Sequence, residues 1–327
     1  MRAWLVHGKG EPTEVMKLGQ RELPALGPGE MRVKVAAASM GLPDYMMCTG
    51  AYPATPQDGP FTPGGEVVGT VVATGPDVAT KIGTRVMGMT DFWRGLGSFA
   101  EECLVREDEV NPAPDFIADA AAAGFRIAYH TAWCGIVRNA KAQPGETMLV
   151  LGAAGGTGAS AVDLGKATDL RVIAVVAGPE KAAYVRTLGA DVVIDRLSQN
   201  VPQAVMDATG GKGADLIYDP VGGAAGEEAF GLIAMEGRFM LVGFASGRWP
   251  AIEAWHTLGK NCSLVGVYAG RSFGGDVHAL AHRQMMELYR QGKLHDLHAK
   301  QVGFADVPMA LAEVGAGTVL GRTVMMM

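Results

Sequence analysis

Met148-Leu149-Val150-Leu151-Gly152-Ala153-Ala154-Gly155-Gly156-Thr157-Gly158 is the stretch whose reading decides the fold. An unbroken apolar run of strand length passes into clustered glycines, and Ala159 to Ala167 then carries small and apolar residues at helical spacing. A second apolar run, Arg171 to Val176, follows at the distance a strand–helix–strand crossover needs. Gly155 and Gly156 are expected to adopt backbone angles closed to residues with a Cβ and to let the main chain approach a pyrophosphate. Gly158 is expected to let the helix pack tightly on the strand. The free N–H groups and positive dipole end of the helix then hold the phosphates. Ala153 stands where the usual G-x-G-x-x-G fingerprint has its first glycine, so the strict pattern is not met. With 46 glycines in 327 residues a cluster alone decides nothing; the flanking strand, helix and second strand carry the reading.

The end of the second strand bears on which dinucleotide binds. An NAD site usually places an acid about 20 residues past the glycines, where it accepts the ribose hydroxyls and repels a 2′-phosphate. Here the chain reads Val175-Val176-Ala177-Gly178-Pro179-Glu180-Lys181. Ala177 and Gly178 leave room, Lys181 offers a charge partner, and Arg196, just past the third strand, offers a second. Glu180 argues the other way if the register shifts by a few residues. The reading favours NADP over NAD.

A length of 327 residues sets a prior of about two domains, and 48% hydrophobic content suffices for two cores. A net charge of −6 without a basic run invites neither nucleic acid nor an anionic membrane. Cys48, Cys103, Cys134 and Cys262 lie far apart, which suits reduced, buried thiols rather than a disulfide framework or a zinc knuckle. Met1 to His7 lacks the apolar core of a signal peptide, and no apolar stretch is long enough for a bilayer. A cytoplasmic chain is the expectation.

Upstream of the glycine stretch the texture differs. Met31 to Ala37 alternates apolar and polar residues, and further short runs follow at Val67 to Ala73, Arg85 to Met89 and Phe99 to Val105. Turn clusters such as Gly27-Pro28-Gly29 and Thr62-Pro63-Gly64-Gly65 separate them, so this region reads as a β-barrel or sandwich. Asp119 reads as an N-cap, with Ala120 to Asn139 helical and broken near Gly124. From Met148 onward strands alternate with helices, at Met148–Leu151, Arg171–Val176, Val192–Asp195, Leu216–Asp219, Arg238–Val242 and Ser263–Val267. That pattern predicts an α/β Rossmann domain, a doubly wound parallel sheet with its ligand at the carboxyl ends of the strands. Gly275 to Gln291 reads as one amphipathic helix with Val277, Leu280, Ala281, Met285 and Leu288 on one side. Val307 to Val314 and Arg322 to Met326 close the chain as helix and strand.

Together, Ala153-Ala154-Gly155-Gly156-Thr157-Gly158, Leu188-Gly189-Ala190-Asp191, Asp219-Pro220-Val221-Gly222-Gly223 and Phe61-Thr62-Pro63-Gly64-Gly65-Glu66 resemble the medium-chain dehydrogenase/reductase superfamily. The chain is most similar to its zinc-free quinone oxidoreductase, or zeta-crystallin-like, branch, over essentially its whole length. The resemblance implies a co-chaperonin-like (GroES-like) β-barrel domain built from 1–123 and 269–327. It implies a Rossmann NADP-binding domain over 124–268, and a cleft where NADPH meets substrate. Zinc-dependent relatives need a thiolate and an imidazole on early loops; Ser39 to Asp44 holds no cysteine, and Gly65 precedes Glu66 where a histidine is wanted. His278 and His282, or His295 and His298, have ligand spacing, but without a third ligand they read as ordinary histidines. No zinc is expected.

Without a metal to polarise a carbonyl, the suited chemistry is hydride transfer from NADPH to a quinone or an α,β-unsaturated carbonyl, a small apolar electrophile. In the family the loop Gly41 to Pro53 borders the substrate pocket, and Tyr52 falls on its Gly-x-Tyr-Pro pattern. Tyr52 is therefore the first catalytic candidate and Tyr45 a weaker one. Gly41 stands where the family usually has asparagine, and Met46 where some members carry tyrosine, so Met46, Met47 and Phe61 suggest a more apolar pocket. The resemblance places Thr131 near the nicotinamide, Gly243, Phe244 and Ala245 at its ribose, Val267 and Tyr268 at the carboxamide, and Arg322 by the phosphates. His130 reads as a core residue. The uncharged sixth strand, Cys262 to Val267, is an edge that family members commonly pair, so a homodimer is expected. Two other readings remain: an enoyl-thioester reductase acting on acyl carriers or coenzyme A, and a crystallin-like NADPH-binding protein with little turnover.

Overall fold

Six parallel strands form the second half of the molecule's architecture, in the spatial order Ser263–Gly266, Ile233–Leu241, Ala214–Asp219, Thr147–Val150, Arg171–Val176, Val192–Asp195. The computed structural model describes residues 1–270 and 275–327. The chain divides into two compact units, one of residues 1–127, 275–282 and 296–327, the other of 128–270 and 283–295. The expected tail, 269–327, is thus shared out, with Arg283–His295 grouping with the parallel sheet.

The parallel sheet reverses its winding between Thr147–Val150 and Ala214–Asp219, which pair in register at Leu216 with Met148 and Tyr218 with Val150. Its strands are buried on both faces, as their near-continuous Val, Ile and Leu runs require. Leu149, Ile173, Ile194, Ile217 and Phe239 sit in one core under helices packed on the sheet. The fifth strand begins at Ile233, five residues before the expected Arg238; Met235 and Glu236 at its start are exposed, which interrupts the apolar pattern. Glu236 also has a positive φ of 58°.

In the other unit Glu30–Met40 pairs with Glu66–Thr74, which pairs with Arg85–Thr90, which pairs with Glu102–Pro112. The last of these returns to pair with Glu30–Met40, so four antiparallel strands close on themselves. Arg322–Met326 adds to the free half of Glu30–Met40, Val324 opposite Ser39, and His298–Gly303 adds to it in turn. Both chain ends therefore build this sheet around Met31, Val33, Val67, Phe99 and Val105. The strand expected over Phe99–Val105 starts at Glu102 and runs to Pro112, since Phe99 and Ala100 lie in a fully buried turn.

Three helical expectations are corrected. Asp119 is the first helical residue rather than the N-cap, and its carboxylate accepts from Arg85 at 2.6 and 3.0 Å. The segment expected as Ala120–Asn139 is three pieces: Asp119–Ala123 ending at Gly124, Phe125–Trp133, and a wider π turn over Cys134–Asn139. On helix Gly275–Arg290 the buried residues are His278, Ala281, His282, Met285 and Met286, while Leu280 is exposed. The histidines, at i and i+4, thus take core positions that an apolar pattern assigns elsewhere. All four cysteines are buried, and no helix among the described residues is long and apolar enough to cross a membrane.

Candidate functional site

At the carboxyl end of Thr147–Val150 the chain turns into helix Gly156–Ala167; its N-cap Gly155 and first residues Gly156 and Thr157 are half-buried, and among the described residues no side chain caps its N-terminus. A 12-residue helix that leaves its first N–H groups without a side-chain partner is a ready anion site. The steric roles of the glycines differ from expectation. Gly152 is the residue with positive φ, 55°, whereas Gly155 has φ −81°, open to any residue. A Cβ on Gly158 would lie 2.3 Å from the Gly152 carbonyl oxygen and 2.8 Å from Ala153 Cα, so the helix start rests directly on the turn. Ala153 is fully buried, donating its N–H to Val175.

The neighbouring strand ends assemble around this turn. A Cβ on Gly152 would touch Val221 at 3.0 Å, and Val221 belongs to the loop after Ala214–Asp219. Asp219 Oδ1 accepts from Val221 and Gly222 N–H at 2.9 and 2.8 Å, holding that loop, while burial pushes its carboxyl up. Gly243 and Ala245 donate their N–H groups to Asp219 and Pro220 oxygens, and Ser246 donates to Val221. The expected residues Gly243, Phe244 and Ala245 are therefore brought against the loop that touches the glycine turn. Val267 follows, its side chain buried and its N–H given to Leu241, while Tyr268 is half exposed. Thr131 sits half-buried on helix Phe125–Trp133, one residue after the fully buried His130.

On the other side of the turn no acid ends Arg171–Val176. Gly178 caps helix Pro179–Thr187 at φ 92°, with nothing within 4 Å of where its Cβ would be. Lys181 is half-buried in the first turn of that helix, and Arg196 is exposed. The sequence reading missed Asp195, whose Oδ1 accepts the Gly178 N–H at 2.8 Å and so brings a carboxylate to the open position. The Gly178 and Leu197 N–H groups hold its pKa below the usual carboxylate range.

In the other unit Asp44 organises the early loops. It lies at the third position of helix Leu42–Thr49 and is buried, accepting from Gly41 N–H at 2.8 Å and from Gly64 and Gly65 N–H at 3.0 Å each. Burial pushes its carboxyl up, against those donors and Arg322. Glu66 accepts the Ile127 N–H at 2.7 Å and pairs with Arg322. Arg322 is 5% exposed, and burial pushes its guanidinium down to about 10 against the pull of Asp44. Arg322, expected by the cofactor phosphates, faces the buried carboxylates of Asp44 and Glu66 in its own unit. Acid three residues past Gly41 was the available signal for Asp44.

Tyr45 is placed differently from Tyr52. Its hydroxyl donates to Glu11 at 2.8 Å, which raises its pKa, and its ring lies against the Gly315 backbone. Tyr52 is half-buried and stacks on Trp93, ring centroids 5.9 Å apart and planes 26° apart. Trp93 was not singled out from the sequence. Buried Arg126 reaches His278 Nδ1 at 2.6 Å and Glu109 at 3.4 Å, and because a guanidinium only donates, His278 Nδ1 accepts. Burial first, then Arg126, pushes His282 down to about 4. The side chain of His298 lies outside those described. Among the described residues no group of three or more His, Cys, Asp or Glu is placed to hold a metal ion.

Comparison with known proteins bears on both units. Residues 156–286 match the family described as zinc-binding dehydrogenase, and residues 27–115 match the alcohol dehydrogenase GroES-like domain. The chain is 33% identical over 300 residues to quinone oxidoreductase-like protein 2 of Mus musculus, covering 90% of this chain and 83% of that protein. A mycobacterial protein solved in complex with NADPH is 26% identical and superposes with a TM-score of 0.91, covering 100% of both chains. Over 300 residues the chain is also 28% identical to a phenolphthiocerol/phthiocerol polyketide synthase of Mycobacterium tuberculosis, spanning 90% of this chain and 13% of that protein.

Proposed function

The chain belongs to the medium-chain dehydrogenase/reductase superfamily, among its quinone oxidoreductase-like members, and from that premise we propose that it reduces quinones or α,β-unsaturated carbonyls with NADPH and without a metal. The observation that carries the nucleotide is the uncapped start of helix Gly156–Ala167, seated so closely on Gly152 that residue 158 has no room for a Cβ. Ala177 and the absence of a side chain at Gly178 leave room for a 2′-phosphate, with Lys181 and Arg196 as its charge partners, against the Asp195 carboxylate bonded to the Gly178 N–H. Bound there, the reduced nicotinamide supplies the hydride. Gly156, Thr157 and Gly158 hold the pyrophosphate, and Thr131, Gly243, Phe244, Ala245, Val267 and Tyr268 orient the nicotinamide half.

The acceptor gains hydride at carbon and a proton at oxygen, so its developing negative charge needs hydrogen-bond donors. Tyr52 is the donor proposed; Tyr45 is not retained, because its hydroxyl is given to Glu11. The chemistry of the early loops supports a metal-independent route. Asp44 and Glu66, on the loops around Gly64 and Gly65, are both occupied by backbone N–H groups and Arg322. The strand Ser263–Gly266 ends the parallel sheet, and pairing with its copy would make a two-fold homodimer. Sedimentation equilibrium tests that proposal; a monomer at micromolar concentration sinks it.

The likeness to a polyketide synthase favours a second reading, reduction of enoyl thioesters. One panel separates them: NADPH oxidation with quinones, with alkenones and with crotonyl thioesters. Turnover of thioesters alone transfers the assignment, and tight NADPH binding without turnover of any acceptor ends both.

A further inference from the structure

Phe92, Trp93 and Tyr52 form a file of rings. Phe92 is 2% exposed and lies at the Gly65 turn; its ring centroid is 4.2 Å from that of Trp93, which in turn lies 5.9 Å from Tyr52. Burial falls along the file, since Trp93 and Tyr52 are only half-buried. The turn that carries Trp93 is pinned on both sides, because Arg94 donates to Asp91 at 2.9 Å and to Glu30 at 2.6 Å. Tyr52 is pinned through its backbone, its oxygen accepting from Thr55 N–H and hydroxyl at 3.0 and 2.7 Å. Two aromatic residues 41 positions apart are therefore held near parallel by separate anchors, in a separation range where π faces attract.

We propose that Trp93 is a positioning residue that fixes the plane of Tyr52, so that the file of rings accepts a flat, conjugated ring acceptor and disfavours small aliphatic enones. This deepens the function proposed above and rests on Tyr52 facing the acceptor. Stacking rewards an extended π face, which a naphthoquinone has and methyl vinyl ketone lacks. Gly41 and Met46 add no side-chain polar group that would reward a small carbonyl compound instead.

The test is the ratio of kcat/KM for 1,4-naphthoquinone to that for methyl vinyl ketone, measured within each variant so that folding losses cancel. Trp93→Leu should lower the ratio about fivefold, and Trp93→Phe should restore most of it, since one aromatic pair is worth about two- to twelvefold. An unchanged ratio in Trp93→Leu overturns the proposal. If that variant is inactive on both acceptors, quenching of tryptophan fluorescence by naphthoquinone decides. It should be weaker in Trp93→Phe than in the wild type, and equal quenching overturns the proposal. A wild type that reduces neither acceptor yet shows Trp93-dependent quenching refutes the function proposed above and leaves the ring site standing.

Discussion

Gly158→Ala isolates the phosphate turn, and the structure sets its magnitude. The added methyl would sit 2.3 Å from the Gly152 oxygen, where real contacts do not fall below 3.0 Å, so the helix start must retreat by at least 3.0 − 2.3 = 0.7 Å. Overpacking of this kind costs about 1–3 kcal/mol, or about 2–12 °C of melting temperature for a unit this large. The same retreat draws the first N–H groups from the phosphates. Losing one hydrogen bond to a charged group, about 1.5–3 kcal/mol, should weaken NADPH about 10- to 150-fold. Gly155→Ala is the control, because its Cβ meets only the Gly152 oxygen, at the ordinary distance of 3.5 Å, and its φ of −81° suits alanine. Its melting temperature should shift by no more than about 2 °C. Differential scanning calorimetry and NADPH titration on both variants read the outcome. Equal effects at the two positions, or wild-type affinity in Gly158→Ala, would refute the steric argument.

Four further outcomes are expected. His282 is held down to about 4 against 6.5 unfolded, so the unfolded chain binds more protons between those values and stability rises with pH there. About 2 kcal/mol should be lost on going from pH 7 to pH 5, and urea unfolding of His282→Leu should show a flatter profile; an equal loss in both removes His282 as the cause. Glu66→Gln removes one of the two carboxylates that buried Arg322 faces and should cost about 1–3 kcal/mol in denaturant unfolding, a loss below about 0.5 kcal/mol counting against the pair. Tyr45→Phe should give up about 0.5–1.5 kcal/mol of stability with unchanged kcat/KM on naphthoquinone, and a large loss of turnover would return Tyr45 to the site. Asp195→Asn keeps an acceptor for the Gly178 N–H and removes the charge beside it, so kcat/KM for NADPH over NADH should rise about fivefold; an unmoved ratio rejects Asp195 as a selectivity residue.

What local periodicity encodes was legible. Every strand of the parallel sheet was placed to within a few residues, because each is a short apolar run between turn residues, and the start of Ile233–Leu241 was missed where exposed Met235 and Glu236 break the run. The same logic failed on helix Gly275–Arg290, where hydropathy ranks leucine above histidine. Leu280 is exposed all the same, and His278 is buried because Arg126, 152 residues away, meets it. The glycine turn was recognised as a unit while the roles inside it were misassigned. Which glycine needs positive φ depends on where the strand ends, and Thr147–Val150 ends one residue before the expected boundary.

The long-range contacts of the antiparallel unit were the least legible, for a physical reason. Asp44 reaches Gly64 and Gly65 across 20 and 21 residues, Glu66 reaches Arg322 across 256, and Tyr52 meets Trp93 across 41. None of these pairs leaves a periodic trace, because each is created by the closing of the antiparallel sheet rather than by any one element. Their effect is nonetheless concentrated on one stretch of backbone. The N–H groups of Gly41, Gly64 and Gly65 converge on a single buried carboxylate, and the Arg322 guanidinium faces that carboxylate and Glu66 together. An acceptor held by ring stacking and one hydrogen bond gains little from a site that must first be ordered, since each side chain immobilised on binding costs about 0.5–1.5 kcal/mol. Loops already fixed by ionic and backbone contacts avoid that cost, and so the proposed ring site can still favour one ring plane over another.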